Sequence, residues 1–261
     1  MSEGWIEADW PAPPGVRAGI ATRRFPGVSV PPFDRANFGA RCGDDPDAVA
    51  RTRALLRDAL QLPSEPRWLH QVHGITVVDL DAGQSPWERA QLSTAPATDE
   101  PQADAAVTRA PGTVLAILTA DCLPVIFATD DGATLAAAHA GWRGLAAGIL
   151  EATIDAMRAD PARILAWFGP AAGPRAYEVG EDVRTTFVDR DAAAAVAFAP
   201  TRPGHWHCDL PALARRRLVG SGVVRFSGGA CCTIGDPARF FSHRRDRQTG
   251  RMVTVAWRSR E

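Results

Sequence analysis

The sequence predicts an α/β or α+β protein, because strand-like and helix-like stretches alternate along most of its length and neither kind dominates. Short apolar runs, one amphipathic segment after Gly141 and acidic residues placed to cap helices carry that prediction. Asp44 or Asp45 caps a helix that starts at Pro46 and runs to about Leu60, with Val49, Leu55 and Leu56 on its apolar side. Trp68 to Val72 and Ile75 to Leu80 read as strands on either side of Gly74. Asp81 to Gln102, poor in apolar anchors and broken by prolines, reads as a surface excursion. Val114 to Leu118, Val125 to Ala128 and Thr134 to Ala138 are further strand candidates. A helix follows from about Leu145 to Arg158, with apolar residues near a 3.6 period. Asp209 caps another helix through Leu218, which Gly220 and Gly222 stop. Phe240 to Ser242 and Met252 to Trp257 read as closing strands.

A chain of 261 residues with 46% hydrophobic and 23% charged residues has enough apolar mass for a sizeable core. Its formal net charge of −1 gives no footprint for nucleic acid or an anionic membrane surface. All 29 basic side chains are arginine. Schiff-base and phosphate-loop lysines are therefore excluded, and any bound phosphate meets arginine forks or backbone N–H groups. Five cysteines, at 42, 122, 208, 231 and 232, form no Cys-x-x-Cys pair and no disulfide framework is expected. The first ten residues lack a basic segment followed by an apolar run, and no apolar stretch reaches membrane-spanning length, so a cytoplasmic location is expected.

His73, Cys122 and His139 share one placement, each where an apolar run gives way to a turn. Side chains at strand ends are rigidly mounted yet face clefts. Two imidazoles and a thiolate would leave a tetrahedral zinc ion one open position, the pattern of a catalytic centre. Asp121 is expected as a partner or base beside these ligands, and Gln71 as a residue that orients His73. The spacing matches no standard metal signature, so it leaves open two plainer readings, a structural histidine and a cysteine that only fills space. His70 reads as a surface residue, and His205 and His207 as members of a solvent-facing loop.

Longer motifs add a resemblance. Asn37-Phe-Gly, Cys42-Gly-Asp-Asp-Pro46, Gln71-Val-His-Gly74 and Ala103-Asp-Ala precede the two strongest, Leu118-Thr-Ala-Asp-Cys-Leu-Pro-Val125 and Ala138-His-Ala-Gly-Trp-Arg-Gly144. Gly169-Pro170, Tyr177-Glu-Val-Gly180, Cys232-Thr233 and Phe240-Phe-Ser-His-Arg-Arg-Asp246 follow in order. From about Gly15 to Trp257 the chain resembles the YfiH/laccase-domain family, whose members are described as multicopper polyphenol oxidoreductases and as purine nucleoside phosphorylases. The resemblance implies a single domain over 1–261, with mixed β-sheets packed together and flanked by helices. It implies metal ligation by His73, Cys122 and His139, with Asn37, Arg23 or Arg24, Arg143, Arg244 and Arg245 near the cleft. Two departures are Phe38, where leucine is usual, and Thr52, where asparagine is common.

Six histidines cannot furnish a standard multicopper centre, although copper can replace zinc on nitrogen and sulfur ligands. The expected function is a zinc-dependent, phosphate-dependent cleavage of adenosine, inosine or guanosine, with adenosine deamination at the same zinc. Cys122, His139, His73 and Asp121 form the expected catalytic set, and Arg143, Arg244 and Arg245 are candidates to hold the inorganic phosphate. Trp142 and Phe241 are candidates to stack on the purine, with core packing the commoner fate of either ring. A cysteine hydrolase using Cys122 and His139 on amide or cell-wall precursor substrates, a copper-dependent polyphenol oxidase and a zinc scaffold for a partner are the alternatives. The expected partner is a small purine nucleoside, not a nucleic acid or a membrane, and the expected state a monomer or weak dimer.

Overall fold

The computed structural model describes residues 3–81 and 100–259, so most of the expected surface excursion lies outside the described residues. The first helix, α1 (Pro46–Leu60), begins where its sequence requires: the Asp45 carboxylate accepts the Asp47 N–H and Pro46 occupies the first turn. It ends at Gln61 in the left-handed region, whose N–H returns to the carbonyls of Arg57 and Asp58.

The larger of the three described sheets has six strands. Their order is β12 (Arg225–Gly228), β8 (Ile164–Phe168), β6 (Leu123–Thr129), β7 (Leu135–Ala140), β4 (Ala105–Thr108) and β3 (Val77–Asp79). A second sheet runs β1 (Trp5–Glu7), β2 (Val16–Ala21), β13 (Met252–Arg258) and β5 (Val114–Thr119). A third, smaller one joins β10 (Phe198–Arg202), β11 (His205–Cys208) and β9 (Glu178–Gly180).

Side-chain alternation along these strands builds the layers. Leu115 and Ile117 of β5 meet Ile126 and Ala128 of β6 and Leu135 and Ala137 of β7 in one buried cluster, so the two large sheets pack face to face. The opposite residues of the six-stranded sheet, among them Val125, Phe127, Ala136 and Ala138, face helices α2 (Trp142–Ala147), α3 (Ile149–Met157) and α5 (Leu210–Gly220). On the far side of the four-stranded sheet, Ala116, Val253 and Val255 pack against Leu56 of α1. Two further helices, α4 (Glu181–Val188) and α6 (His243–Asp246), lie near the smaller sheet and the C-terminal loops. The layers are therefore helix, sheet, sheet, helix.

Several boundaries differ from the sequence reading. The expected helix from Leu145 begins at Trp142 and is split in two, because Gly148 adopts φ +110° between α2 and α3. Trp68 to Val72 makes one isolated bridge, at His70, with another just before it at Arg67, instead of a strand, and only Val77–Asp79 of the next stretch joins a ladder. Strand β7 extends to Ala140, paired on both sides, so His139 lies within it. Phe240 to Ser242 is buried but unladdered; Ser242 caps α6 by accepting the Arg245 N–H. His205 and His207 stand half-buried on β11, paired with β10 and β9. Phe38 is fully buried beside Phe25, and the Thr52 hydroxyl is buried and accepts the Val28 N–H.

Candidate metal centre

His139 sits on the face of β7 that carries Leu135 and Ala137, at the edge of the gap between the two large sheets. Cys122 follows Asp121, a non-glycine residue at φ +101° that turns the chain out of β5 and into β6. Strand register then sets Leu123 opposite Ala140, which leaves Cys122 next to Gly141. His73 arrives from a different segment, at φ +62° at the tip of a tight turn. Their ligating atoms all lie within 4.8 Å of one another, and Cys122 Sγ stands 3.7 Å from His73 Nε2. A tetrahedral zinc ion with ordinary bond lengths needs about 3.6 Å between such a nitrogen and sulfur. The donor types suit zinc, and the Cys122–His73 separation meets that requirement.

One buried carboxylate organises this convergence. Asp104 accepts the His139 Nδ1 hydrogen at 2.8 Å, together with the backbone N–H groups of His73 at 2.9 Å and Gly74 at 2.7 Å. The Val72 N–H reaches the same carboxylate at 3.2 Å. A residue at positive φ makes successive N–H groups converge on an anion, and here that anion is a side chain. The bond to Nδ1 fixes the His139 tautomer and leaves Nε2 as its ligating atom. Burial disfavours the charged form of Asp104, but the hydrogen bond and charge of His139 and the two backbone donors outweigh it, so its carboxyl is held below the usual range.

The three side chains also perturb one another. Burial pushes the Cys122 thiol up, yet the charge and hydrogen bond of His139 and the contacts with His73 bring it down to about 6. Burial likewise pushes His139 down, and the Cys122 thiolate and Asp104 raise it to about 9. Gly141 provides the necessary clearance. A Cβ there would stand 2.8 Å from His73 Cδ2 and 2.9 Å from Cys122 Sγ.

The site opens into a cleft of about 460 Å³ lined by His73, Cys122, His139, Arg143, Arg251 and His243, among others. Arg143 stacks on the Trp142 ring at 4.4 Å and, among the described residues, has no ion-pair partner. It also borders a second hollow that includes Arg244. Arg244 lies over the Tyr177 ring at 4.7 Å and donates to the Glu178 carbonyl. The Arg245 guanidinium is instead consumed by the carbonyls of Thr233, Ile234 and Phe240 and by Asp246. Arg23 is tied to Asp34 and the Pro237 carbonyl, and Arg24 to Glu3.

Asn37 is fully buried. Its amide donates to the Gly39 carbonyl and Asp44, while its carbonyl accepts the N–H groups of Gly39 and Arg251, so it shapes the loop beside the cleft. Asp121 turns its carboxylate towards Thr233, Ser242 and the Arg244 N–H. The hydrogen bond that the sequence reading sought there is made by Asp104. Gln71 exchanges two 2.8 Å hydrogen bonds with the backbone of Leu118, which anchors the His73 turn to β5 instead of contacting the ring. Of the two candidate stacking rings, Phe241 is sealed in the core, and Trp142 remains half-buried. His70, expected at the surface, is half-buried in the cleft wall.

The model of the multi-copper polyphenol oxidoreductase laccase family matches residues 17–259. A Xylella fastidiosa protein named purine nucleoside phosphorylase is 55% identical, over 97% of this chain and 96% of its own length. The Escherichia coli purine nucleoside phosphorylase YfiH is 47% identical, over 97% of this chain and 98% of its own. A Neisseria meningitidis crystal structure superposes with a TM-score of 0.89 at 40% identity, covering 99% of this chain and all 100% of the other. The structure of YlmD from Geobacillus stearothermophilus gives 0.88 at 31% identity, over 100% and 98%.

Proposed function

This chain belongs to the multi-copper polyphenol oxidoreductase laccase family, the family of the YfiH-like proteins, and from that premise we propose that it is a zinc-dependent purine nucleoside phosphorylase. The observation that carries the reading is the convergence of His73, Cys122 and His139 at the wall of a cleft, in a chain whose close relatives bear that name. When bound, zinc would supply Lewis acidity at an open coordination position. The remaining work falls to the chain. Asp104 holds the His73 turn and the His139 ring in place. Arg143, stacked but unpaired among the described residues, has its guanidinium free to receive phosphate, and Arg244 across the adjoining hollow is the second candidate. Trp142 stiffens Arg143 from below.

On this reading inosine, guanosine and adenosine are cleaved by inorganic phosphate to the free base and ribose 1-phosphate, and adenosine is also deaminated at the same centre. Copper on the same three ligands is the route to any oxidase activity. The test is zinc-loaded protein with each nucleoside, with and without phosphate, and products resolved by chromatography. Stoichiometric zinc with no turnover of any of the three nucleosides would overturn the reading.

A second reading rests on one specific contact. Asp104, His139 and Cys122 stand in series, with the thiol shifted towards thiolate, the arrangement of a cysteine nucleophile with an oriented base. Rapid alkylation of Cys122 in zinc-loaded protein, with no change on chelation, would favour this hydrolase reading over the metal centre.

A further inference from the structure

The cleft contains two histidines, His70 and His243, that neither reading uses. His243 is the first residue of α6, is exposed, and lines the same cavity as Cys122, His139 and Arg143. Its Nδ1 lies 2.6 Å from the carbonyl oxygen of Arg247. A carbonyl only accepts, so Nδ1 must carry the hydrogen, and Nε2 is the ring nitrogen left for other partners. The ring is thus fixed in tautomer by its own helix.

The position of His243 is tied to the metal centre by Asp121. That carboxylate accepts the Ser242 hydroxyl at 3.0 Å and the Arg244 N–H at 2.6 Å, the residues on either side of His243. Asp121 itself immediately precedes Cys122. The expected metal-side role of Asp121 is thereby replaced by a mechanical one, fixing the wall that holds His243 to the segment that holds Cys122.

Of the other titratable side chains of the cleft, arginines aside, His73, Cys122 and His139 are the metal set, Glu100 is pinned between Arg41 and Arg53, and the Cys42 thiol donates to the Gly39 carbonyl. His70 has no hydrogen bond that fixes its ring among the described residues. We propose that His243 is the proton donor to the departing purine, an inference that rests on the phosphorylase reading. As the C1′–N9 bond breaks, its electron pair moves into the purine ring, and the Nε2 hydrogen of the imidazolium passes to N7. Phosphate oxygen forms the new bond to C1′. His243 is left neutral, with Nδ1–H still donated to Arg247, and regains its proton from water at the exposed mouth of the cleft.

The test compares inosine with 7-methylinosine, whose N7 is already alkylated and cationic and needs no proton to leave. Zinc-loaded wild type, His243→Asn and His243→Ala are assayed on both, with zinc content and thermal unfolding measured for each. Asparagine can keep a donor to the Arg247 carbonyl, so His243→Asn separates the proton from the local fold. The expected result is a loss in kcat/KM of about 100-fold or more on inosine, but under about 5-fold on 7-methylinosine, for His243→Asn with wild-type zinc content. Equal losses on the two substrates, or no loss on inosine, overturn the assignment while leaving the phosphorylase reading intact. A zinc-loaded wild type inert to both substrates overturns that reading and the assignment together.

Discussion

Asp104 and His139 face each other across β4 and β7 and are joined twice. The His139 N–H donates to the Asp104 carbonyl at 2.7 Å, and the imidazole donates to its carboxylate at 2.8 Å. Since that carboxylate also gathers the N–H groups of the His73 turn, a single side chain with no solvent exposure aligns two candidate ligands from different parts of the chain.

Replacing that carboxylate should therefore cost metal before it costs fold. Asp104→Asn keeps the size but presents an amide where four donors converge, and zinc affinity is expected to fall about 10- to 100-fold. Competition with a chromophoric chelator measures it. Unchanged affinity would mean that the two ligands are held by something other than Asp104.

In metal-free protein the Cys122–His139 pair predicts two opposing pH dependences of stability. The Cys122 thiol, depressed to about 6 in the fold, gives stability that is complete above its unfolded range and is lost as pH falls through 6. His139, raised to about 9, gives stability that is complete below its unfolded range and is lost as pH rises through 9. Between pH 6 and 9 the thiol's contribution grows as that of the imidazole fades, so thermal unfolding in chelator should vary little across this range, and Cys122→Ser, which removes the growing contribution, should leave stability falling as pH rises. Identical profiles for the two proteins would rule out the pair as their source.

Gly141→Ala probes clearance alone, because the backbone at Gly141, φ −67°, suits any residue. The added methyl meets His73 and Cys122 inside contact distance, and overpacking of this kind costs about 1–3 kcal/mol. Weakened zinc binding with little change in secondary structure by circular dichroism is the expected outcome.

Arg143 and Arg245 should separate by phenotype. Arg143→Ala removes a guanidinium with no ion pair among the described residues and is expected to raise KM for phosphate at least about 10-fold at unchanged thermal stability. Arg245→Ala orphans the carbonyls of Thr233, Ile234 and Phe240, and is expected to lower Tm. A Tm loss for Arg143→Ala with no KM change would reverse the roles.

What the sequence made legible was whatever depends on neighbours in the chain. The Asp45-Pro46 start of α1 and the apolar runs of β5 and β6 follow from local chemistry, and so does the Asp209 cap of α5, whose carboxylate accepts the Ala212 N–H. The convergence of His73, Cys122 and His139 was legible through motif resemblance, since nothing in their spacing forces them together. Asp104 escaped assignment, although an acid set between alanines at the head of a short apolar run was the available signal. Its partners come from a turn 30 to 32 residues earlier and a strand 35 residues later, and periodicity does not encode such contacts. Arg245 was misleading for the same reason: its carbonyl partners are distant in function from a basic motif that looks like an anion clamp.

Two of the candidate ligands belong to a single hairpin, Cys122 just before β6 and His139 near the end of β7, whereas His73 enters from a turn 49 residues upstream of Cys122. An ion shared by all three closes that length of polypeptide into a ring. Like a removable cross-link, it restricts the unfolded chain, and opening the ring requires releasing the ion. Resistance of this protein to proteolysis should thus follow the free zinc level of its surroundings.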